Sequence, residues 1–215
     1  MASAHYKLTY FDLRGLGEVS RYLLTLGSAN WEDNRLPIEF RPDGNHNRPE
    51  FDALKASGKL PFGQVPILEV EGEEGVIAQS KAIEHHLART FGLFGSTPRE
   101  SALIHSFSEG LSDLRIEYVK ANWWSKPEEK EALLAKFYDE HLPKHFGLLD
   151  KNVVQTASPN IADAQLYGVW ESVTSAGKVG DDFLDAYPHL KARINLFKAN
   201  PLNATYLANR KVTAV

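Results

Sequence analysis

The chain has 215 residues, a formal net charge of −4 and an isoelectric point near 6.1, and this charge argues against a nucleic-acid partner because surfaces that bind nucleic acids are basic. It contains no cysteine, which excludes disulfides, thiolate metal sites and a protein thiol as nucleophile. Any sulfur chemistry must therefore use sulfur that a ligand brings.

The beginning of the chain shows no pattern typical of targeting or membrane segments. Residues 1–5 lack the basic-then-apolar organisation of a signal peptide. No apolar run approaches the ~20 residues that a membrane-spanning helix needs. We therefore expect a cytoplasmic protein with no membrane partner.

The first part of the chain alternates strand and helix patterns. Polar and apolar residues alternate over the first predicted strand, whereas the apolar positions after Glu18 follow helical spacing until Gly27. A crossover helix of this kind favours parallel pairing of the strands that flank it. The predicted order is β-α-β-α-β-β-α, with strands at 6–11, 31–38, 67–70 and 76–78, helices at 18–27, 50–55 and 80–91, and a loop at 40–49.

The second part of the chain is predicted to contain helices only. Residues 93–98 are the best candidate linker, because glycine, serine and proline cluster there between two differently patterned halves. Helices are predicted at 99–125, at 127–142, behind a helix-start box at Asn160 and Asp163, and at 188–199, followed by an irregular tail. We therefore predict an α/β domain over residues 1–92, a linker at 93–98 and an all-helical domain over 99–215.

Pro66 interrupts what would otherwise be one extended segment over residues 60–70. Proline gives no N–H to a sheet and restricts the preceding Val65 to extended geometry. If the bond between them is cis, the backbone groups of Val65 face outward, where they could pair with an extended peptide ligand. Ser80 is a good N-cap for the next helix, whose N-terminus attracts carboxylates. A hairpin with a proline bend is the simpler alternative.

Other candidate sites have weaker patterns. Gly15 and Gly17 follow a strand as in dinucleotide-binding loops, but the third glycine position holds Ser20. Two histidines have helical i,i+4 spacing that could suit a metal, yet a proline lies between them and no cysteine or nearby acidic pair completes the ligand set. The alternative to a metal site is that these two residues, His141 and His145, lie at a solvent-exposed helix end.

Two aromatic features are ambiguous from the pattern alone. Trp123 and Trp124 lie near a helix end, where they could pack in a core or interface, or line an apolar ligand pocket. Tyr10 is predicted at the carboxyl end of the first strand, where a side chain can face a cleft or pack in the core.

Three groups of residues form a recognisable pattern: Tyr10-Phe11-Asp12-Leu13-Arg14-Gly15 with Glu18 and Arg21, Leu60-Pro61-Phe62-Gly63-Gln64-Val65-Pro66 with Leu68-Glu69-Val70 and Gly72, and Gln79-Ser80 with Ala82-Ile83. This pattern resembles the cytosolic glutathione transferases, most closely the tyrosine-type classes and the sigma class in particular. The resemblance covers residues 5–92, and the helical half is supported by its length, the helix-start box and Asp113. It implies a thioredoxin-like N-terminal domain followed by an all-helical domain.

The resemblance also implies roles for individual residues. Tyr10 would donate its hydroxyl to the sulfur of glutathione. The backbone of Val65, before a cis Pro66, would pair with the cysteinyl unit. The remaining implied contacts are those of Gln79 and Ser80 with the γ-glutamyl carboxylate, Gln64 with the tripeptide, Lys55 with its glycyl end, and Asp113 with glutathione bound to the other subunit of a homodimer.

The sequence departs from the family pattern at two positions. Phe51 lies where the sigma pattern commonly has a tryptophan that hydrogen-bonds the glycyl carboxylate, and phenylalanine has no N–H. Leu16 replaces an arginine found in some relatives at the mouth of the acceptor pocket. The loop at 40–49 is also longer than usual, and Lys59 adds a residue before Leu60.

The function that the resemblance implies is detoxification. We expect an enzyme that stabilises the glutathione thiolate with a tyrosine hydroxyl and conjugates it to hydrophobic electrophiles, without a metal. The acceptor pocket is expected between Tyr10 and the helices that carry Tyr118, Trp123 and Trp124. A glutathione-dependent isomerase or peroxidase, or a non-catalytic ligand carrier, is the alternative.

Overall fold

The computed structural model describes residues 4–41 and 44–213, so the predictions for residues 1–3, 42–43 and 214–215 lie outside the described residues. The chain forms two compact units. One contains the described residues up to Leu93 together with those from Pro201 onward, and the other is Phe94–Asn200. The domain boundaries expected at 92 and 99 stay a prediction. Among the described residues, no helix is both long and apolar enough to cross a membrane.

The first unit combines strands and helices around one sheet. Its elements up to Leu93 are β1 His5–Phe11, α1 Glu18–Leu26, β2 Asn30–Leu36, β3 Glu39–Phe40, β4 His46–Asn47, α2 Pro49–Ala56, β5 Ile67–Val70, β6 Ile77–Ala78 and α3 Ser80–Thr90. Four of the strands form a mixed sheet in the order β2-β1-β5-β6. The first strand pairs in parallel with the second and antiparallel with the fifth, and the sixth is antiparallel to the fifth.

The predicted loop at 40–49 contains a two-stranded antiparallel ribbon, β3 with β4. The Asn47 amide donates to the Glu39 carboxylate at 3.1 Å, and the rings of Phe40 and His46 lie 4.9 Å apart. The sequence did not predict it, because strands of two residues are too short to show an alternating pattern.

The second unit is helical. Its elements are α4 Pro98–Asn122, α5 Pro127–Lys136, a π-helical turn Phe137–His141, α6 Leu142–Lys151, α7 Ile161–Thr174, a 3₁₀ helix Asp181–Ala186 and α8 Pro188–Ala199. The helix predicted at 127–142 is therefore three segments. The backbone stays helical from α5 through the π-helical turn into α6, and Pro143, which has no N–H to donate, lies just after this turn.

The two tryptophans do not belong to the core of this unit. Trp123 and Trp124 are 50% and 71% exposed, so core packing was the wrong alternative for them. The same unit contains His141 and His145. No cluster of three potential metal-ligating side chains occurs among the residues that the structure describes.

The buried helix α7 begins as the sequence predicted. The Asn160 side chain accepts from the Ala162 N–H at 2.8 Å, and the Asp163 carboxylate accepts from the Asn160 N–H at 2.8 Å. Arg193 on α8 donates its Nε to Asp163 at 2.7 Å and its Nη1 to the Thr156 carbonyl at 2.6 Å. Both members of this ion pair are almost fully buried, so each stabilises the fold only while the other is present.

The tail predicted to be irregular is a helix, α9, at Pro201–Asn209. Tyr206 donates its hydroxyl to Glu18 at 3.2 Å, and the Arg210 guanidinium donates to the same carboxylate at 2.8 Å. These contacts attach α9 to α1, which lies nearly 200 residues earlier. Asn200 and Pro201 are a local helix-start signal, but the helix has little apolar periodicity, which explains why the sequence did not predict it.

Replacing Arg193 with methionine tests the buried ion pair. Arg193→Met keeps much of the side-chain volume but leaves a buried carboxylate without its cation, so we expect the free energy of unfolding to fall by about 3 to 5 kcal/mol. Urea unfolding at neutral pH measures this change. Lys191→Met removes an exposed ion pair from the same helix and should leave stability unchanged within error. A similar small effect of Arg193→Met would show that the pair does not stabilise the fold.

Candidate active site

Tyr10 is held at the end of β1 by the loop that follows the strand. Its side chain is 6% exposed, and its hydroxyl oxygen accepts from the Leu16 N–H at 3.0 Å. Gly15 and Gly17 let this loop pass over the ring, because a Cβ at Gly15 would lie 2.6 Å from the Tyr10 hydroxyl and one at Gly17 would lie 2.6 Å from the ring. Close approach to tyrosine therefore explains the two glycines, and no nucleotide-binding role is needed for them.

Arg21 fixes this loop from the interior. The arginine is completely buried on α1 and donates to the Leu13 carbonyl at 2.9 Å, to Glu18 at 2.9 Å and to Asp33 at 3.0 Å. Burial opposes its charged form, but the carboxylates of Asp33 and Glu18 outweigh this effect and raise the pKa of Arg21. The loop that carries the Leu16 N–H is thus fixed by a permanent cation.

The bend before β5 forms a second part of the candidate site. The Val65–Pro66 bond is cis, and Val65 lies two residues before Ile67, where the ladder between β5 and β1 begins. Gly63 has φ of 62°, a left-handed conformation that suits glycine. Gln64 follows it and is exposed.

The start of α3 differs from the prediction. Ser80 was expected to be the N-cap, but it is the first residue of the helix, and Gln79 occupies the cap position without a side-chain cap bond. Gln79 has φ of 74°, which is rare for a residue other than glycine and is often found where the chain serves a ligand. The first N–H groups of a helix have no partners inside the helix, so they are available to an anion.

A cavity of about 280 Å³ joins these three features. It brings together six of the predicted site residues, namely Tyr10, Gln64, Val65, Pro66, Gln79 and Ser80. The other lining residues are Phe11, Leu16, Arg48, Phe51, Phe62 and Ala78.

Two predicted site residues do not line the cavity. Lys55 lies beside it on α2, with its Cε 3.2 Å from the place that a Cβ on Gly63 would occupy. Asp113 is an exposed residue of α4 in the helical unit, and its expected role at a second subunit stays a prediction.

Arg48 was not predicted from the sequence to line the site. This residue precedes α2 directly, and its guanidinium carbon lies 4.7 Å from the centroid of the Phe51 ring. Arg48 is the one charged residue among those that line the cavity in the described part of the chain. Its position three residues before Phe51, at a helix start, is the signal that could have identified it.

Comparison with known proteins agrees with the architecture. Family models of the glutathione S-transferase N-terminal and C-terminal domains match residues 6–89 and 112–210. The chain is 35% identical over 218 residues to Glutathione S-transferase 1 of Ascaris suum, with 97% of this chain and 98% of the relative covered. The chain belongs to the glutathione S-transferase family.

Other members of the glutathione S-transferase family have similar sequences and folds. Hematopoietic prostaglandin D synthase of Gallus gallus is 32% identical over 216 residues, with 98% of this chain and 99% of the relative covered. The crystal structure of the glutathione S-transferase from Ascaris lumbricoides is 34% identical and superposes with a TM-score of 0.77, covering 98% of this chain and 100% of that one. The expected thioredoxin-like and all-helical architecture is thereby confirmed, as is the enzyme class.

A glycine substitution tests the packing of the loop on Tyr10. In Gly15→Ala the new methyl group would meet the tyrosine hydroxyl, so we expect it to displace the ring and to destabilise the protein by about 1 to 3 kcal/mol more than Gly72→Ala does. Gly72 is the matched control, because it also has a positive φ but nothing within 4 Å of its Cβ position. Urea unfolding of both variants measures the difference, and equal losses would show that the clash is absent.

Proposed function

We propose that this glutathione S-transferase uses Tyr10 to hold glutathione as its thiolate and adds the thiolate to hydrophobic electrophiles, a detoxification reaction. The observation that carries the proposal is that Tyr10, whose hydroxyl accepts from the Leu16 N–H, lines the same cavity as the Val65–Pro66 bend and the start of α3. The cavity thus offers a phenol for a sulfur, backbone groups for an extended peptide and a helix N-terminus for a carboxylate. A cysteine-containing tripeptide with a terminal carboxylate requires these three groups.

The energy required of the tyrosine is modest. A thiol with a pKa near 8.5 is only about 3% ionised at pH 7, and lowering this pKa by about two units requires roughly 2.7 kcal/mol. A hydrogen bond to a charged group contributes about 1.5 to 3 kcal/mol. Because a hydroxyl carries a proton as well as two lone pairs, accepting from Leu16 does not use its donor, and it polarises the O–H bond.

The rest of the cavity suits the ends of the tripeptide. The backbone of Val65, at the cis bend before β5, would pair with the cysteinyl unit. Gln79 and Ser80 would hold the γ-glutamyl carboxylate at the first turn of α3, where the helix dipole favours an anion. Gln64 and Lys55 would contact the tripeptide near its glycyl part. We further infer that the acceptor binds near Tyr118, Trp123 and Trp124, in a cytoplasmic enzyme.

The sigma class and the tyrosine type form part of the proposal. The similarity to Gallus gallus prostaglandin D synthase supports this class and keeps a glutathione-dependent isomerase as the second candidate. Leu16, which stands where some relatives have an arginine, favours general conjugation instead. Assays with an aromatic electrophile, a peroxide and a prostaglandin endoperoxide separate transferase, peroxidase and isomerase activities, and a ligand carrier would show none of them.

Replacing Tyr10 with phenylalanine tests the thiolate mechanism. We expect Tyr10→Phe to lower kcat at least tenfold with little change in glutathione affinity, because the lost hydrogen bond acts mainly on the anion. At saturating glutathione, the rise of kcat/KM for the electrophile should move to higher pH, since the bound thiol then ionises nearer its ordinary pKa of about 8.5. Tyr6→Phe is the matched control, a buried tyrosine on the same strand whose ring packs against Phe91. An unchanged pH profile in Tyr10→Phe would remove Tyr10 from the mechanism.

The proposal that Asp113 serves a second subunit requires a homodimer. We expect light scattering to give twice the chain mass of 24.1 kDa. Asp113→Asn should raise the KM for glutathione and leave kcat unchanged, because the carboxylate would bind the γ-glutamyl ammonium without touching the reacting sulfur. A monomer with full activity would contradict this role.

A further inference from the structure

The loop between β1 and α1 is also contacted by residues that follow the helical unit. Glu18, the first residue of α1, lies directly after this loop and is buried. One of its carboxylate oxygens accepts from the Arg210 guanidinium at 2.8 Å and from the Tyr206 hydroxyl at 3.2 Å. Burial and the nearby Glu18 charge raise the pKa of Tyr206, so its hydroxyl keeps its proton and remains a donor. The C-terminal end of the loop is thus held from α9 and the residue after it.

The beginning of the same loop has a comparable contact. Asp12 is the first residue after β1, and its carboxylate accepts from the Lys211 ammonium and, at 3.4 Å, from Arg35 on β2. The Lys211 hydrogen bond is the main reason why the pKa of Asp12 lies below its usual range, so this carboxylate is charged at neutral pH. Arg210 and Lys211 are neighbours in sequence, and together they bind residues at both ends of the loop.

Glycines flank the residue in this loop that orients the tyrosine. Leu16, whose N–H donates to the Tyr10 hydroxyl, lies between two of them. Glycine has no Cβ to restrict the backbone, and Gly15 has φ of 41°. Arg21 holds the loop at the Leu13 carbonyl, three residues before that N–H. The position of the N–H therefore depends on where the two ends of the loop are fixed.

Glu18 couples Arg210 to the interior of the loop. Its second oxygen accepts from Arg21 at 2.9 Å, and Arg21 also donates to the Leu13 carbonyl and to Asp33. A buried carboxylate that loses one of its cations has no water to replace it. Without Arg210 we therefore expect Glu18 to move toward Arg21, and Arg21 to shift relative to the loop that it holds.

We propose that Arg210 is a positioning residue for Tyr10. Through Glu18 it holds the loop so that the Leu16 N–H meets the tyrosine hydroxyl. Lys211 supports the other end of the loop in the same way. Neither of the two cations lines the cavity, so both act on the reaction only through the loop. This inference rests on the proposed function, because its consequence is measured at the sulfur that the tyrosine stabilises.

The pH dependence of kcat/KM for an aromatic electrophile, measured at saturating glutathione, tests the inference. In Arg210→Met we expect the rise with pH to move upward by about half a pH unit, because a less well oriented Tyr10 hydroxyl stabilises the thiolate less. The rate near pH 6 should then fall about threefold, and the rates should converge above about pH 9. Arg210→Lys keeps the charge and should restore most of the loss. Lys211 is exposed, so Lys211→Met keeps the fold and should give a smaller shift in the same direction.

Combination with Tyr10→Phe separates positioning from a general effect on stability. If Arg210 acts through the tyrosine hydroxyl, Arg210→Met should cause no further shift once that hydroxyl is absent. Arg193→Met is the matched control, since it removes a buried arginine that pairs with a carboxylate in the helical unit. Its pH profile should match that of the unaltered enzyme, although its stability is lower.

An unchanged pH profile in Arg210→Met, or a loss of rate that is equal at every pH, would overturn the inference and leave the proposed function intact. A further shift in the double variant with Tyr10→Phe would do the same. If Arg210→Met does not fold, an unchanged profile in Lys211→Met overturns the inference instead. If Tyr10→Phe alone leaves the profile unchanged, the proposed function fails and the inference fails with it. Circular dichroism melting confirms that each variant is folded.

Discussion

The buried cation of Arg21 is the interaction on which the rest of the first unit depends. A fully buried guanidinium is tolerated only when its donors meet carboxylates and carbonyls, and here those partners come from different segments: the Leu13 carbonyl, Glu18 on α1 and Asp33 on β2. The loop after β1, the crossover helix and the edge strand are therefore fixed to one point. The N–H that orients the Tyr10 hydroxyl belongs to that loop. The buried charge of Arg21 therefore also fixes the position of Tyr10 in the cavity.

The same network reaches the end of the chain. Glu18 shares its carboxylate between Arg21 and Arg210, and Tyr206 donates to it as well. The helix α9 is therefore part of the support of the first unit although it follows the helical unit in sequence. A buried carboxylate with three donors is well satisfied. The Glu18–Arg21 pair therefore avoids the energetic penalty of a buried charge that lacks a partner.

Features specified by local sequence were predicted, whereas those that depend on distant partners were not. The βαβαββα order, the capping box at Asn160 and the bend at Pro66 follow from residues close to one another in the chain. The helix α9 is held by contacts with Glu18, almost 200 residues away, and apart from its Asn200-Pro201 start it shows little apolar periodicity. Gln79, and not Ser80, occupies the cap position of α3. Its φ of 74° depends on the surrounding fold, so no local pattern predicts it. Arg48 was not predicted because a single arginine three residues before an aromatic residue forms no periodic pattern. Val65 and Ser80 were indicated by local backbone chemistry, and Tyr10, Gln64 and Gln79 by the family pattern. All five line the cavity, and their roles stay predictions.

The absence of cysteine and the composition of the cavity point to the same kind of catalysis. A chain without a thiol supplies orientation and charge stabilisation to a sulfur that the ligand brings. Under the proposed function such a site must hold the tripeptide firmly, because the thiolate is stabilised only while it stays within hydrogen-bond reach of Tyr10. The cis bend at Val65–Pro66 and the start of α3 line the same cavity as Tyr10, so they can fix the ligand at two further points.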